Sequence, residues 1–287
     1  MAVRFLWNAD VRMPVPVPPP PEPDGALIAS LGVPAMAIAG VPDLMHHKFV
    51  VRDGEAVLTG SANWTDDSWT REENVIAVVQ SPALATSFTL GFEQLWKTGA
   101  VELSGGVEPR PVDLDGVRVR PWFTPGYGDA LSHRIAKAIG RARTRIRICS
   151  PVISAAPVLA TLAQVVSDGR VDFRACVDAT QIRHVLYQWH SNGNAAWKIP
   201  LLERILTAHV AGKESTPWRP GTVHDFMHAK VTIADDVVFL GSFNLSHSGE
   251  QNAENVLEIA DARIADRLAA FVESVAARYP RFALKPA

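Results

Sequence analysis

Hydrophobic positions in the second half of this chain switch between a period near two and a period near 3.6. The switching lays out alternating strands and helices. Val117–Phe123 alternates as a strand, and Ala130–Arg141 carries Ile135, Ala138 and Ile139 at helical spacing. Arg145–Ile153 alternates and then runs apolar, as a strand does; Val158–Val166 predicts a helix and Val171–Val177 a strand. A longer excursion passes Trp189, Trp197 and the helix-like Ile199–Ala208. Two short strands follow, Ala229–Ala234 and Val237–Gly241, then a strand over Val256–Ile259. A last helix over Asp261–Arg278 opens on an aspartate suited to capping its free N–H groups.

The first half repeats only the later part of this pattern. Ala2–Asn8 matches the strand at Asp172–Asp178, Phe49–Arg52 and Ala56–Gly60 match the two short strands, and Asn74–Val79 matches Asn255–Ile259. Ser81–Thr98 matches the last helix, with Ser81 as cap and Pro82 in the first helical position, where a missing N–H is harmless. Nothing ahead of Ala2 matches the strand–helix–strand–helix of residues 117–169. The expected organisation is therefore a first lobe over residues 1–101, a linker over 102–116 rich in Gly, Pro and acidic residues, and a second lobe over 117–287. The first lobe is expected to lack its opening strands and helices, because of a start site placed too far downstream or because the chain is a fragment; a naturally abbreviated lobe is the alternative. Such a lobe would leave a sheet edge and part of its core uncovered. The run Val15–Pro23 is proline-rich and reads as an extended exposed loop.

Composition narrows the class little. With 47% hydrophobic and 20% charged residues, the 287-residue chain can bury an ordinary core. A net charge of -2 provides no basic footprint, which argues against tight sequence-independent binding of nucleic acid. Cys149 and Cys176 lie in strand-like apolar runs and read as buried reduced thiols. No Cys/His spacing marks a zinc site, so neither metal nor cofactor is expected. No stretch approaches the length of a membrane span, and residues 1–30 lack a signal-peptide pattern. A cytoplasmic or membrane-peripheral location follows by default, and is undetermined if the true N-terminus lies upstream.

One constellation occurs twice. The first copy is His46-x-Lys48, Asp53, Gly60-Ser61-Ala62-Asn63 and Glu73-Asn74; the second is His228-x-Lys230, Asp235, Gly241-Ser242-Phe243-Asn244 and Glu254-Asn255. In each copy the glutamate follows the asparagine of the GSxN element by ten positions. Six residue types at near-fixed spacing match by chance roughly once in 10^7 to 10^8 start positions, so two matches in one chain are not coincidence. Phosphodiesters are anionic and have poor alkoxide leaving groups. Cleaving one needs positive charge for the nonbridging oxygens, a nucleophile, and an acid for the departing alcohol. Two imidazoles titrating near neutrality can divide the last two tasks.

These residues resemble the phospholipase D superfamily, in which two HKD motifs meet at one active site on a pseudo-twofold axis. The resemblance implies an α/β fold of two lobes, each a mixed sheet flanked by helices, with residues 46–63 opposite 228–244. It implies His46 as nucleophile forming a phosphohistidine and His228 as acid. Lys48 and Lys230 would hold the phosphate as point charges, Asn63 and Asn244 would add amide donors, and Ser61 and Ser242 hydroxyls. Glu73 and Glu254 are expected to accept a hydrogen bond from the second ring nitrogen of a histidine, fixing its tautomer. Asp53 and Asp235 read as turn residues rather than catalysts. His47, between His46 and Lys48, points away by the pleat and reads as structural; His224 and His247 are candidates for the pocket wall. Trp64, Trp69, Trp189, Trp197 and Trp218 do not decide the substrate.

The leading expectation is a metal-independent phosphodiesterase that hydrolyses phospholipid headgroup esters or transfers them to alcohols. The alternatives are a nuclease of the same superfamily, a cardiolipin-synthase-type phosphatidyltransferase, and a binding module with a vestigial site. Its partners are then a phospholipid or other phosphodiester, with nucleic acid possible. A monomer is expected because both motifs lie in one chain.

Overall fold

The structure, a computed structural model, describes residues 2–9, 25–216 and 223–284. The proline-rich run and Trp218 lie outside the described residues. In chain order the first lobe holds β1 (Phe5–Asn8), α1 (Gly25–Ser30), β2 (Ala35–Ile38), β3 (Phe49–Arg52), β4 (Ala56–Gly60), α2 (Asp66–Thr70), β5 (Ile76–Gln80) and α3 (Pro82–Thr98). Next come β6 (Val112–Leu114), β7 (Val117–Phe123), α4 (Gly128–Arg141), β8 (Arg145–Ser150), α5 (Ala156–Asp168), β9 (Asp172–Asp178), α6 (Ala179–Asn192), α7 (Ile199–Leu206) and β10 (Val210–Lys213). The chain closes with β11 (Val231–Ala234), β12 (Val237–Gly241), α8 (His247–Gln251), β13 (Asn255–Ala260) and α9 (Ala262–Ala276).

The second lobe is built on one mixed sheet in the order β10-β9-β8-β11-β12-β13-β7-β6. Leu131, Ile135 and Ile139 of α4 and Leu159 and Leu162 of α5 pack on one face, against Ile146, Phe239 and Val256. Ala265, Val272 and Val275 of α9 pack on the other, against Val231, Ile233, Val238 and Leu257. This second core also takes in Leu84, Ala85 and Phe88 of α3, so the two lobes share it. Both long helices start as the sequence expects: the Ser81 hydroxyl accepts the Leu84 N–H and the Asp261 carboxylate the Ile264 N–H. Cys149 and Cys176 stand in register on β8 and β9 as buried free thiols, and burial raises both pKa values, that of Cys176 to about 12.

The expected linker is partly structural, since β6 at its end pairs antiparallel with β7 and extends the large sheet. α6 lies inside what the sequence left as an excursion. Its apolar positions Ile182, Val185, Leu186 and Trp189 stand at helical spacing, with Ile182 and Leu186 buried and Val185 and Trp189 packed beside them.

In the first lobe β1 pairs only with β2, in parallel, and β3-β4-β5 form a separate antiparallel sheet. In the second lobe β8 fills the place between β9 and β11, and β7 flanks β13. Among the described residues no strand takes either place in the first lobe. The face that α4 and α5 cover in the second lobe is correspondingly open in the first. Val256 is 3% exposed, whereas Ile76, which pairs with Gly60 as Val256 pairs with Gly241, is 38% exposed. Val78 on the same strand is 64% exposed.

Candidate functional site

The two repeats meet where the segment leading into β3 lies against the start of β13, and the segment leading into β11 against the start of β5. Met45 bridges Ala253, and Glu73 bridges Met227, both in parallel. The Ala253 carbonyl accepts the His46 N–H at 2.9 Å, and the Ala253 N–H donates to the Leu44 carbonyl at 2.8 Å. The Met45 N–H donates to Asn8 Oδ1 at the end of β1, and the Met227 N–H to Asp178 Oδ2 at the end of β9. Each histidine segment is thus held by its own lobe behind and by the other lobe in front.

This crossing decides the partner of each imidazole. His46 Nδ1 lies 2.8 Å from both carboxylate oxygens of Glu254, a residue of the other lobe with no solvent exposure. A carboxylate only accepts, so Nδ1 carries the proton and Nε2 is left with a free lone pair. His228 Nδ1 faces Asn74 Oδ1 at 3.2 Å. That oxygen also accepts the Ser61 hydroxyl at 2.7 Å, so His228 is likewise protonated on Nδ1.

The glutamates expected to be equivalent are not. β12 pairs Gly241 with Val256, while β4 pairs Gly60 with Ile76, one residue later along the chain. Asn74 therefore stands where Glu254 stands, and Glu73 where Ala253 stands. The Glu73 carboxylate makes no contact with an imidazole. It is buried against Lys213 Nζ at 2.6 Å, Tyr279 and Arg278, and so joins the start of β5 to the second lobe. Glu72 instead turns towards His228, its Oε2 at 3.5 Å from Nδ1. Two adjacent acids were visible in the sequence, but only strand register shows which one faces the histidine.

Ser61 and Ser242 are corrected as well. The Ser61 hydroxyl donates to Asn74 and accepts the Val75 N–H, and Ser242 Oγ accepts the Asn255 N–H. Both are buried as braces at the strand ends rather than held out for a phosphate. The preceding glycines have a steric cause. A Cβ on Gly60 would lie 2.1 Å from the Val75 carbonyl oxygen, and one on Gly241 2.1 Å from that of Asn255. Gly241→Ala is expected to cost about 3 kcal/mol or more, the upper range for overpacking, because the obstruction is backbone. Thermal unfolding checks this, and a melting temperature within a degree of the parent's would contradict it.

Lys48 Nζ donates to the His46 carbonyl at 2.8 Å, and Lys230 Nζ to the His228 carbonyl at 2.6 Å. All four cations of the double motif are close enough to act on one another. Burial holds His46 below the ordinary imidazole range, against the pull of Glu254 and with the push of Lys48. His228 is driven well below it by burial and by Lys230, Lys48 and His46. Burial brings Lys48 down to about 8, despite Glu254 and Glu72. Burial and the charge of Lys48 push Lys230 well below its usual value. Burial thus opposes the charged form of each of these four groups, and an anion placed among them would favour it.

Asn63 and Asn244 are half-buried, and the Asn244 carbonyl oxygen is buried with no hydrogen-bond partner among the described residues. Asp53 and Asp235 sit at left-handed turn positions with φ 54° and 51°, as turn residues do. The Asp235 carboxylate accepts from Thr144 Oγ1 and from the Arg143, Thr144 and Arg145 N–H groups, which hold its pKa down against burial. His47 turns away, its Nδ1 by Asn255 Nδ2 at 3.2 Å and its ring edge-on to Phe49 and Phe123. His224 acts electrostatically on His228 and Glu72, while exposed His247 pairs with Glu250. Trp64 and Trp69 lie together, ring centroids 5.8 Å apart, and about half-exposed; Trp189 and Trp197 flank Lys198 instead. Thr124, which accepts the Glu254 N–H and donates to the Asn252 carbonyl, fixes the carboxylate's backbone and left no signal in the sequence.

A family model described as cardiolipin synthase, PLD-like domain, matches residues 21–96 and 135–275. A mitochondrial cardiolipin hydrolase of Chlamydomonas reinhardtii is 42% identical over 52 residues, 18% of this chain and 23% of that protein. One of Xenopus laevis is 40% identical over 53 residues, 18% of this chain and 25% of its own length. The chain thus matches about a quarter of the length of these relatives. The crystal structure of phosphatidylserine synthase from Haemophilus influenzae superposes with a TM-score of 0.58 at 18% identity, covering 85% of this chain and 64% of that one, which is a likeness of fold.

Proposed function

Because the chain belongs to the family of phospholipase D-like domains of the cardiolipin synthase type, we propose that it is a phosphodiesterase that cleaves phospholipid headgroup esters through a phosphohistidine. The observation that supports this reading is the crossed pairing of His46 with Glu254 and His228 with Asn74, which occupies both Nδ1 atoms and frees the Nε2 of two histidines that act on one another. Neutral His46 attacks phosphorus with its Nε2 lone pair. The bond from phosphorus to the headgroup oxygen breaks, and the imidazolium of His228 gives its Nε2 proton to the departing alkoxide. Neutral His228 then takes a proton from water, or from a second alcohol, as that oxygen attacks the phosphohistidine. The P–N bond breaks, and His46 is neutral and His228 protonated once more. The negative charge of the diester favours the protonated form of His228, against the burial and the neighbouring Lys230 and Lys48 that lower its pKa. The lysines and the amides of Asn63 and Asn244 hold the nonbridging oxygens.

Phospholipid is favoured over nucleic acid by the family description and by a net charge of -2, which supplies no track for a polyanion. Among the described residues no helix is long and apolar enough to cross a membrane. With cardiolipin, phosphatidylcholine and single-stranded DNA offered separately in EDTA, release of phosphatidic acid from a lipid is expected, with the oligonucleotide intact. Shortened DNA without lipid cleavage would transfer the reading to a nuclease. Loss of all activity in EDTA would contradict the mechanism.

A further inference from the structure

His46 and His228 are not served alike. Glu254 gives His46 a full carboxylate at Nδ1, whereas His228 meets a neutral amide. An amide can present either its oxygen or its NH2, so some other group must fix its orientation. Asn74 Nδ2 donates to Glu72 Oε2 at 3.2 Å and to the Ser68 carbonyl at 3.0 Å. The Ser68 hydroxyl donates to the same Glu72 oxygen at 2.5 Å. The Glu72 side chain is 2% exposed.

We propose that Glu72 is a positioning residue for His228. It anchors the Asn74 amide so that the carbonyl oxygen faces Nδ1, and its own Oε2, 3.5 Å from Nδ1 and without a hydrogen bond to it, acts on the ring from farther than Glu254 acts on His46. The inference rests on the phosphodiesterase reading and deepens it, because it separates the roles of the two histidines. A direct carboxylate raises the basicity of His46, as a nucleophile requires. A more distant one, not hydrogen-bonded to the ring, leaves the imidazolium of His228 the stronger acid, as the departing alcohol requires. His228 is faced by Lys230 beside it, by Lys48 and His46 from the first lobe and by His224 on its own segment, and the Phe226 ring packs on it at 4.7 Å. Glu72 is thus the nearest anion to a histidine otherwise surrounded by positive groups. Burial raises the Glu72 pKa, opposed by Ser68, Asn74, Lys230 and His224.

Two readouts test this. In Glu72→Gln the high-pH limb of kcat, set by loss of the His228 proton, should move to lower pH. Turnover of a diester with an alkoxide leaving group should fall about tenfold or more, a part of the roughly 10^2 to 10^4-fold that a general acid contributes. A p-nitrophenyl diester, whose leaving group needs no proton, should change far less. The double variant Glu72→Gln/Asn74→Asp places the charge directly on Nδ1 and should return the limb towards higher pH. Nitrogen NMR of the imidazoles should find His228 protonated on Nδ1 in the parent and a tautomer mixture in Glu72→Gln. Equal slowing of both diesters with an unmoved limb, or an unchanged His228 tautomer, would overturn the role of Glu72. A parent protein that turns over neither diester would refute the phosphodiesterase reading, while the tautomer measurement would still decide whether Glu72 orients the amide.

Discussion

Replacing His46 by alanine is expected to abolish turnover of a phospholipid headgroup ester, by about 10^4-fold or more, as for other covalent nucleophiles. The expectation follows from geometry. His46 Nδ1 is committed to Glu254, and its side chain keeps 19% of its exposure against 6% for that of His228, so it is the more accessible of the two. No neighbour can substitute for it, because His47 is turned into the Phe49 and Phe123 rings and Lys48 is tied to the His46 carbonyl. His228→Ala should fail at a different step. With a p-nitrophenyl diester it should still form the phosphoenzyme, then stall for want of a base to activate water. Acid quenching of a single turnover with phosphorus-labelled substrate separates the two variants: no label on His46→Ala, trapped label on His228→Ala. Turnover by His46→Ala within tenfold of the parent would refute its role as nucleophile.

Glu254→Gln is expected to lower kcat by about 10^2 to 10^4-fold, as when the carboxylate behind a catalytic histidine becomes an amide. Glutamine can present NH2 to Nδ1 and so favour the wrong tautomer, leaving Nε2 protonated and unable to attack. Glu73→Gln should behave in the opposite way. It weakens a buried ion pair with Lys213, and breaking such a pair costs up to about 3–5 kcal/mol, less here because Asp225 also holds that ammonium. Its melting temperature should fall while kcat stays within a few-fold. Measuring kcat and thermal unfolding on both variants checks the pair, and equal kinetic losses would mean that sequence alignment, not strand register, identifies the functional acid.

Much of the fold was legible because its elements advertise themselves locally. Ser81 and Asp261 announce helices by their capping chemistry, and β7, β8, β9, β12 and β13 by alternation or short apolar runs. β2 and β10 were missed. Ala35–Ile38 and Val210–Lys213 are four residues each, and Gly212 leaves the latter without a recognisable period. α6 was missed as well, although Ile182, Val185, Leu186 and Trp189 stand at the spacing of a helix face.

The sequence by itself determined which residue types gather at the site: two histidines, two lysines and the GSxN turns, each written twice in the same order. It also marked Asp53 and Asp235 as turn residues, whereas the strand too close for a Cβ at Gly60 and Gly241 emerged only in three dimensions. Tertiary structure alone decided the pairings. Crossing of the lobes hands Glu254 to His46 and Asn74 to His228, and a one-residue difference in strand register moves Glu73 from the imidazole to Lys213. Side chains alternate between the faces of a strand, so a shift of one residue exchanges partners completely, and spacing along the chain carries no record of it.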